Sequence, residues 1–242
     1  MTSPSAFSSE DGLRIAASRA ALGSTVTRWL VHELRGPVQV LTLIPELLES
    51  DGHSDASTLR MLHDGTAALE RVALLFDEFL QRPPAEPVVS PVTVDALLQL
   101  MVRVGVAHRG DVQVLLDPIP AGLPAVAAVE GWLPHCLGVL LVNAIESCET
   151  ERARSVRLAA RADGPSVVLT VHDDGPGFPD AVAAAAFDGC STRPFAGWPR
   201  GLGLPTARLV ARAMGGDVEI AANLPGAVTV QLRLPAWPAL AR

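Results

Sequence analysis

A proline-rich segment, PPAEP at positions 83–87, divides the sequence into two parts with different patterns. Proline has no amide hydrogen to donate and its ring clashes with the preceding helical turn, so no regular helix continues through this segment. We interpret residues 83–91 as a semi-rigid linker. The chain of 242 residues is therefore predicted to form two unequal domains, residues 1–82 and residues 92–242.

The first part carries apolar residues at helical spacing. From Leu13 to Glu49 they lie along one stripe when each residue advances about 100°, and a second stripe continues from Leu59 to about Arg82. The polar break SDGHSD at positions 50–55 predicts a hairpin of two antiparallel helices. Because such a hairpin cannot cover both of its stripes, we expect two copies to pair as a four-helix bundle in a homodimer.

The second part mixes extended and helical periods. The pattern predicts helices at residues 95–108, 132–148 and 204–214, and strands at residues 92–94, 112–116, 155–162, 166–172, 218–221 and 228–234. Segregated strands and helices favour the α+β class. The fold class we predict is a helical hairpin that forms a dimeric four-helix bundle, followed by an α/β sandwich.

Composition argues against several classes of protein. The net charge of -7 leaves no basic surface to neutralise nucleic-acid phosphates. The sequence contains no run of about 18 apolar residues, the length needed to cross a membrane. Its first residues lack the features of a secretion signal. The spacing of Cys136, Cys148 and Cys190 argues against a disulfide framework and a zinc site. We expect a cytoplasmic protein without nucleic-acid or membrane partners.

His32 is the candidate nucleophile of the first helix. It lies roughly 140° from the centre of the apolar stripe, so we expect its ring to face solvent. A neutral imidazole can attack a phosphoryl group, and the adjacent Glu33 can accept or orient its second ring proton. The alternative to a nucleophile is that His32 and Glu33 form an ordinary solvated pair on the surface. Gly36 and Pro37 predict a kink one turn later, although a helix could instead begin at Pro37.

Three more motifs follow in a fixed order: NA at positions 143–144 on a predicted helix, DDGPG at 173–177 after a predicted strand, and GLGL at 201–204 opening another helix. Glycines permit a backbone turn and close approach to a ligand. The unpaired amides and the dipole of a helix start favour phosphate. Each motif alone is weak, because a single Asp-x-Gly-x-Gly is more often a plain turn.

With the run HELRGP at positions 32–37, these motifs resemble those of sensor histidine kinases, from about residue 20 to residue 235. The resemblance implies that His32 is the phospho-acceptor, that Asn143 ligates Mg²⁺ at the phosphates of ATP, and that Asp173 accepts the adenine amino group. It implies further nucleotide contacts from Gly175, Gly177, Thr192, Arg193, Gly201, Gly203 and Leu204. Arg200 competes with Arg193 for the γ-phosphate. The implied partners are a second copy and the receiver domain of a response regulator, and a separate sensor protein could supply the input.

Three positions depart from the motifs of that family. Gly36 replaces the Thr or Asn that orients water, which predicts weak phosphatase activity toward a regulator. Pro199 replaces a glycine, and Val139 replaces an asparagine. Related ATPases of the same fold carry a glutamate at the position of Val139, and a valine cannot act as a general base, so transfer to His32 is favoured over hydrolysis.

Two other functions stay open. A histidine phosphotransferase with a degenerate ATP-binding domain would relay phosphoryl groups without ATP, but the glycine motifs here are largely intact. A hydrolytic ATPase or ATP-switched module of the same superfamily is the other, and both Val139 and the His32 hairpin count against it.

Overall fold

The computed structural model describes residues 8–20, 22–27, 31, 38–39, 60, 62–66, 69, 88–106, 112–129, 131–149, 155–188 and 203–238. From residue 88 onward the elements are β1 (Val89–Val92), α1 (Val94–Val106), β2 (Gln113–Leu116), β3 (Val126–Val129), α2 (Leu133–Glu149), β4 (Ser155–Asp163), β5 (Ser166–Asp173), α3 (Asp180–Ala184), α4 (Gly203–Ala213), β6 (Asp217–Leu224) and β7 (Ala227–Pro235).

Five strands form the main sheet, in the order β2-β4-β5-β7-β6. β2 runs parallel to β4, and the other neighbouring strands are antiparallel. β1 and β3 form a separate antiparallel pair. Along β7 buried and half-buried residues alternate strictly, because successive side chains of a strand point to opposite faces. The buried face of the sheet packs against the helices.

Helix α2 lies at the centre of the domain. It contacts α1 and α4 and also packs on β4, β5 and β7. A helix enclosed in this way is apolar on most of its circumference, and its largest fully buried side chains are Leu133, Leu137, Leu140, Leu141 and Ile145. The mixed α/β architecture that the sequence predicted for this part of the chain is confirmed.

A helical segment before this domain, residues 9–20 and 22–27, packs against the start of α2. We call it the leading helix. Ser18 Oγ lies 3.4 Å from Nε2 of His135, and the guanidinium of Arg19 donates to the carbonyl of Gly131 at 3.1 Å. Leu22 and Val26 belong to the buried cluster that includes α2. Both residues belong to the apolar stripe that the sequence predicts from Leu13 to Glu49. The hairpin, bundle and homodimer stay predictions, because most of the residues that would form them lie outside the described part.

Some boundaries differ from the sequence prediction. β1 begins at Val89, inside the segment predicted as a linker, and α1 starts at Val94, where an extended run was predicted. β3 and the short helix α3 were not predicted at all. Strands of four residues such as β1 and β3 are too short for a clear period, and they pair with each other across more than thirty residues of sequence.

Candidate functional site

Asn143 lies on α2 where the start of α4 approaches it. A Cβ atom placed on Gly203, the first residue of α4, would lie 3.6 Å from Nδ2 and 3.7 Å from Oδ1 of Asn143. The same atom would lie 3.2 Å from Cγ1 of Val139. Because the first amides of a helix have no partners within it, this junction puts amide donors near an amide oxygen. The arrangement suits an anion such as a phosphate, with a cation beside it.

Asp173 ends β5 with a buried carboxyl group, which is 4% exposed. Its Oδ1 accepts a hydrogen bond from the amide of Gly175 at 3.0 Å. Burial raises the pKa of Asp173 to about 6, while the Gly175 amide and His172 act to lower it. When ionised, this group is a pure acceptor, suited to an N–H donor such as an exocyclic amine.

Gly175 lies between two polar side chains that leave no room for a Cβ atom, so only glycine fits at this position. A Cβ atom there would lie 2.5 Å from Ser147 Oγ and 2.7 Å from Asp173 Oδ1. The sequence prediction missed Ser147. The available indication was its spacing, because it follows Asn143 by four residues and therefore shares its face of α2.

The loop that carries the DDGPG motif, residues 173–177, is called the glycine loop here, and its start is held to β4 by hydrogen bonds of Asp174. Its carboxylate accepts from the amide of Ser155 at 3.0 Å and from the hydroxyl of Ser155 at 3.0 Å. The thiol of Cys148 lies 3.5 Å from the same carboxylate, and burial raises the pKa of that thiol to about 12. Asp174 therefore has a structural role at the end of β5, next to Asp173 of the candidate site.

Phe187, which follows α3, packs against a cationic side chain of α4. The guanidinium of Arg208 lies 4.5 Å from the centre of the Phe187 ring. Arg208 also makes a bidentate pair with Asp217, at 2.7 Å and 3.0 Å. Hydrogen bonds from Arg208 and Arg212 help to lower the pKa of Asp217 to about 2. This network ties the segment before residue 189 to α4 and β6.

The structure thus brings together two groups of sequence-predicted residues, Asn143 with Gly203 and Asp173 with Gly175, along one face of α2. Leu204 follows Gly203 and is mostly buried. Several predicted site residues lie outside the described part of the chain: His32, Glu33, Thr192, Arg193, Arg200 and Gly201.

Among the described residues, no three His, Cys, Asp or Glu side chains are grouped as a metal site. At the junction of α2 and α4, the side-chain oxygen of Asn143 would be the protein ligand of a Mg²⁺ ion. This donor set fits an ion that prefers oxygen ligands and keeps waters and phosphate oxygens as its other ligands.

Known proteins of one family are similar to this chain in sequence. Residues 128–238 match the family described as histidine kinase-, DNA gyrase B- and HSP90-like ATPase. Sensor histidine kinase GtrS of Pseudomonas aeruginosa is 34% identical over 211 residues, which covers 84% of this chain and 40% of GtrS. The C4-dicarboxylate transport sensor protein DctB of the same organism is 29% identical over 242 residues, covering 96% of this chain and 39% of DctB.

Solved structures show the same fold. Full-length ShkA in complex with AMPPNP aligns with a TM-score of 0.54 at 25% identity, covering 84% of this chain and 46% of ShkA. The mycobacterial sensor histidine kinase MprB aligns with a TM-score of 0.50 at 22% identity, covering 63% of this chain and 100% of that structure.

Residues 128–238 are therefore an ATP-binding domain of the type found in sensor histidine kinases. The chain spans about two fifths of the length of the two curated relatives. No helix in the described residues is both long enough and apolar enough to span a membrane.

Proposed function

We propose that this protein is an ATP-dependent histidine kinase that phosphorylates its own His32 and passes the phosphoryl group to an aspartate of a response regulator. The observation that carries the proposal is that the Asn143–Gly203 junction and the Asp173–Gly175 pair lie along one face of α2. Asn143 and Ser147, the α2 residues beside them, are about 6 Å apart along the helix axis. Amide donors at one end of this face and a buried carboxyl acceptor at the other suit the phosphates and the base of ATP.

In this proposal the nucleotide lies with its base at Asp173 and its phosphates at the start of α4. The ionised Asp173 carboxylate accepts the adenine amino hydrogen, and Gly175 and Gly177 allow the base to approach the backbone. The amides of Gly201, Gly203 and Leu204 bind the phosphates. Asn143 would hold Mg²⁺, which would supply positive charge beside the phosphates. Thr192 and Arg193 contact the γ-phosphate.

The phosphoryl group then passes to His32. An imidazole nitrogen forms a bond to the γ-phosphorus while the bond to the β–γ bridging oxygen breaks and ADP leaves. Glu33 accepts the proton on the other ring nitrogen and keeps the attacking nitrogen nucleophilic. We infer that the chain acts as a homodimer, and that a separate sensor protein can control the reaction.

The proposal is tested by incubating the purified protein with ATP labelled at the γ-phosphate and with Mg²⁺. We expect a labelled protein whose phosphate is stable to base and labile to acid, as phosphohistidine is. His32→Gln should abolish the label, and Asp173→Asn should reduce it by weakening nucleotide binding. His63→Gln, at an exposed histidine of the first part of the chain, is the matched control and should keep the label.

Two results would contradict this function. Label that persists in His32→Gln would move the phospho-acceptor elsewhere. Steady ATP hydrolysis in His32→Gln, without any labelled protein, would favour the hydrolytic ATPase instead.

A further inference from the structure

Asn223, on β6, holds the backbone that follows the glycine loop through both ends of its side chain. Its Oδ1 accepts a hydrogen bond from the amide of Phe178 at 2.7 Å, and its Nδ2 donates to the carbonyl of Phe178 at 2.8 Å. Asparagine carries a donor and an acceptor on one short side chain, so it can bind both backbone groups of a single residue.

Asn223 also covers Gly177, the last glycine of the loop. Gly177 adopts a left-handed conformation with φ of 83°, and a Cβ atom there would lie 3.0 Å from Oδ1 of Asn223. The turn that follows β6 makes a second connection, because the amide of Gly226 donates to the carbonyl of Gly175 at 2.8 Å. The β6–β7 hairpin thus fastens the loop at two separate points.

A β-bulge in β6 decides on which face of the sheet Asn223 lies. Ile220 pairs with Val230, but the next pairs are Ala222 with Thr229 and Asn223 with Val228, so Ala221 is an extra residue. If the ladder continued from Ile220 without a bulge, Ala221 would pair with Thr229, Ala222 with Val228 and Asn223 with Ala227. Since a shift of one residue moves a side chain to the other face, Asn223 would then point away from the loop.

We propose that Asn223 is a positioning residue for nucleotide binding: it holds residues 173–178 in the conformation that receives the base. This inference rests on the proposed function, because it concerns the same candidate site. Asn223 contacts the loop and acts on the ligand through it. A loop fixed before binding loses less conformational freedom when ATP arrives, so removing its anchor lowers affinity more than it lowers the rate of the bound complex.

The test compares Asn223→Ala and Asn223→Asp with Glu219→Ala, a control at an exposed position on the same strand. ATP affinity is measured by calorimetry, autophosphorylation gives kcat and KM, and hydrogen exchange of the ligand-free protein follows residues 173–178. For Asn223→Ala we expect Kd and KM for ATP to rise about tenfold, with kcat at saturating ATP within about twofold of the wild type. Exchange in the loop should accelerate at least about tenfold. Glu219→Ala should match the wild type.

Asn223→Asp keeps the acceptor for the Phe178 amide but loses the donor to its carbonyl, and it gives a result even if Asn223→Ala fails to fold. We expect an affinity between those of the wild type and Asn223→Ala. The inference is overturned if Asn223→Ala binds ATP as the wild type does, or if kcat falls while KM is unchanged. If the wild-type protein does not bind ATP, the proposed function and this inference both fail. Calorimetry of the wild type distinguishes that outcome from failure of the inference alone, in which the wild type binds ATP and Asn223→Ala binds it equally well.

Discussion

Asp173 combines burial with an accepting role, and these two properties oppose each other. Taking a carboxylate out of water disfavours its charged form, and one hydrogen bond from Gly175 offsets this only in part, so the pKa is raised to about 6. In the proposed function, the adenine amino group needs the ionised form. The nucleotide should therefore stabilise the charged carboxylate, and protons should compete with the nucleotide.

We predict that ATP affinity falls as the pH drops below about 6. The ligand-free carboxyl is protonated below its raised pKa, so affinity is retained above that pH and is lost by up to about tenfold for each pH unit below it. Calorimetry of ATP binding between about pH 5 and pH 8 measures this slope. Asp173→Asn has no proton to exchange there and controls for titration of the phosphates. An equal slope in Asp173→Asn would contradict the role of Asp173.

The junction between α4 and β6 depends on two consecutive glycines. The amide of Gly216 donates to the carbonyl of Ala211 and the amide of Gly215 to that of Arg212, both at 2.9 Å, while Gly215 has φ of 79°. This pair of hydrogen bonds closes the end of a helix and turns the chain. The turn sends β6 back beside β7, and β6 in turn carries Asn223 to the glycine loop.

We predict that Gly216→Ala is destabilising, because its Cβ atom would lie 2.1 Å from the carbonyl oxygen of Arg233. Backbone atoms cannot move aside as a flexible side chain can, so the free energy of unfolding should fall by about 1–3 kcal/mol or more. Urea unfolding measures the loss. Gly12→Ala is the matched control: nothing lies within 4 Å of its new Cβ atom, and alanine favours helix, so stability should be unchanged or slightly higher. Equal stability of the two variants would contradict this account of the junction.

Across the whole molecule, the contact between the leading helix and α2 buries His135, which is 5% exposed. Of the buried side-chain nitrogen and oxygen atoms in the described residues, Nδ1 of His135 has no hydrogen-bond partner. Burial, together with the nearby charge of Arg19, lowers the pKa of His135 to about 3. The folded protein therefore keeps this ring neutral where an exposed histidine would be charged.

We predict that this histidine makes the folded state sensitive to acid. Its pKa is lowered on folding, so the stability is fully present above about pH 6.5 and is lost as the pH falls, by up to about 1.4 kcal/mol per pH unit. The measurement is the difference in unfolding free energy between the wild type and His135→Leu from about pH 7 to pH 5. Asp173 contributes with the opposite sign, and it cancels in this difference. A difference that does not change with pH would contradict the prediction.

Elements with a local pattern could be predicted from the sequence alone. The helix predicted at residues 132–148 is Leu133–Glu149, and the strands predicted at 155–162 and 166–172 are Ser155–Asp163 and Ser166–Asp173. Periodicity in one segment is sufficient for such elements, because burial on one face selects the spacing of apolar residues. The proximity of Asp173 and Gly175 could also be predicted from the sequence, since the two residues are only two positions apart. The roles of His32 and Glu33 stay predictions.

Contacts between segments that are distant in sequence could not be predicted and are known from the folded structure. Ser147 reaches Gly175, and Asn223 reaches Phe178, through the packing of α2 and the return of β6 beside β7. The β-bulge at Ala221 sets the face of the sheet on which Asn223 lies. The alternation of apolar and polar residues in β6 does not predict this bulge. Spacing along the chain encodes the conformation of a segment, whereas its partners depend on register and packing among all the segments together.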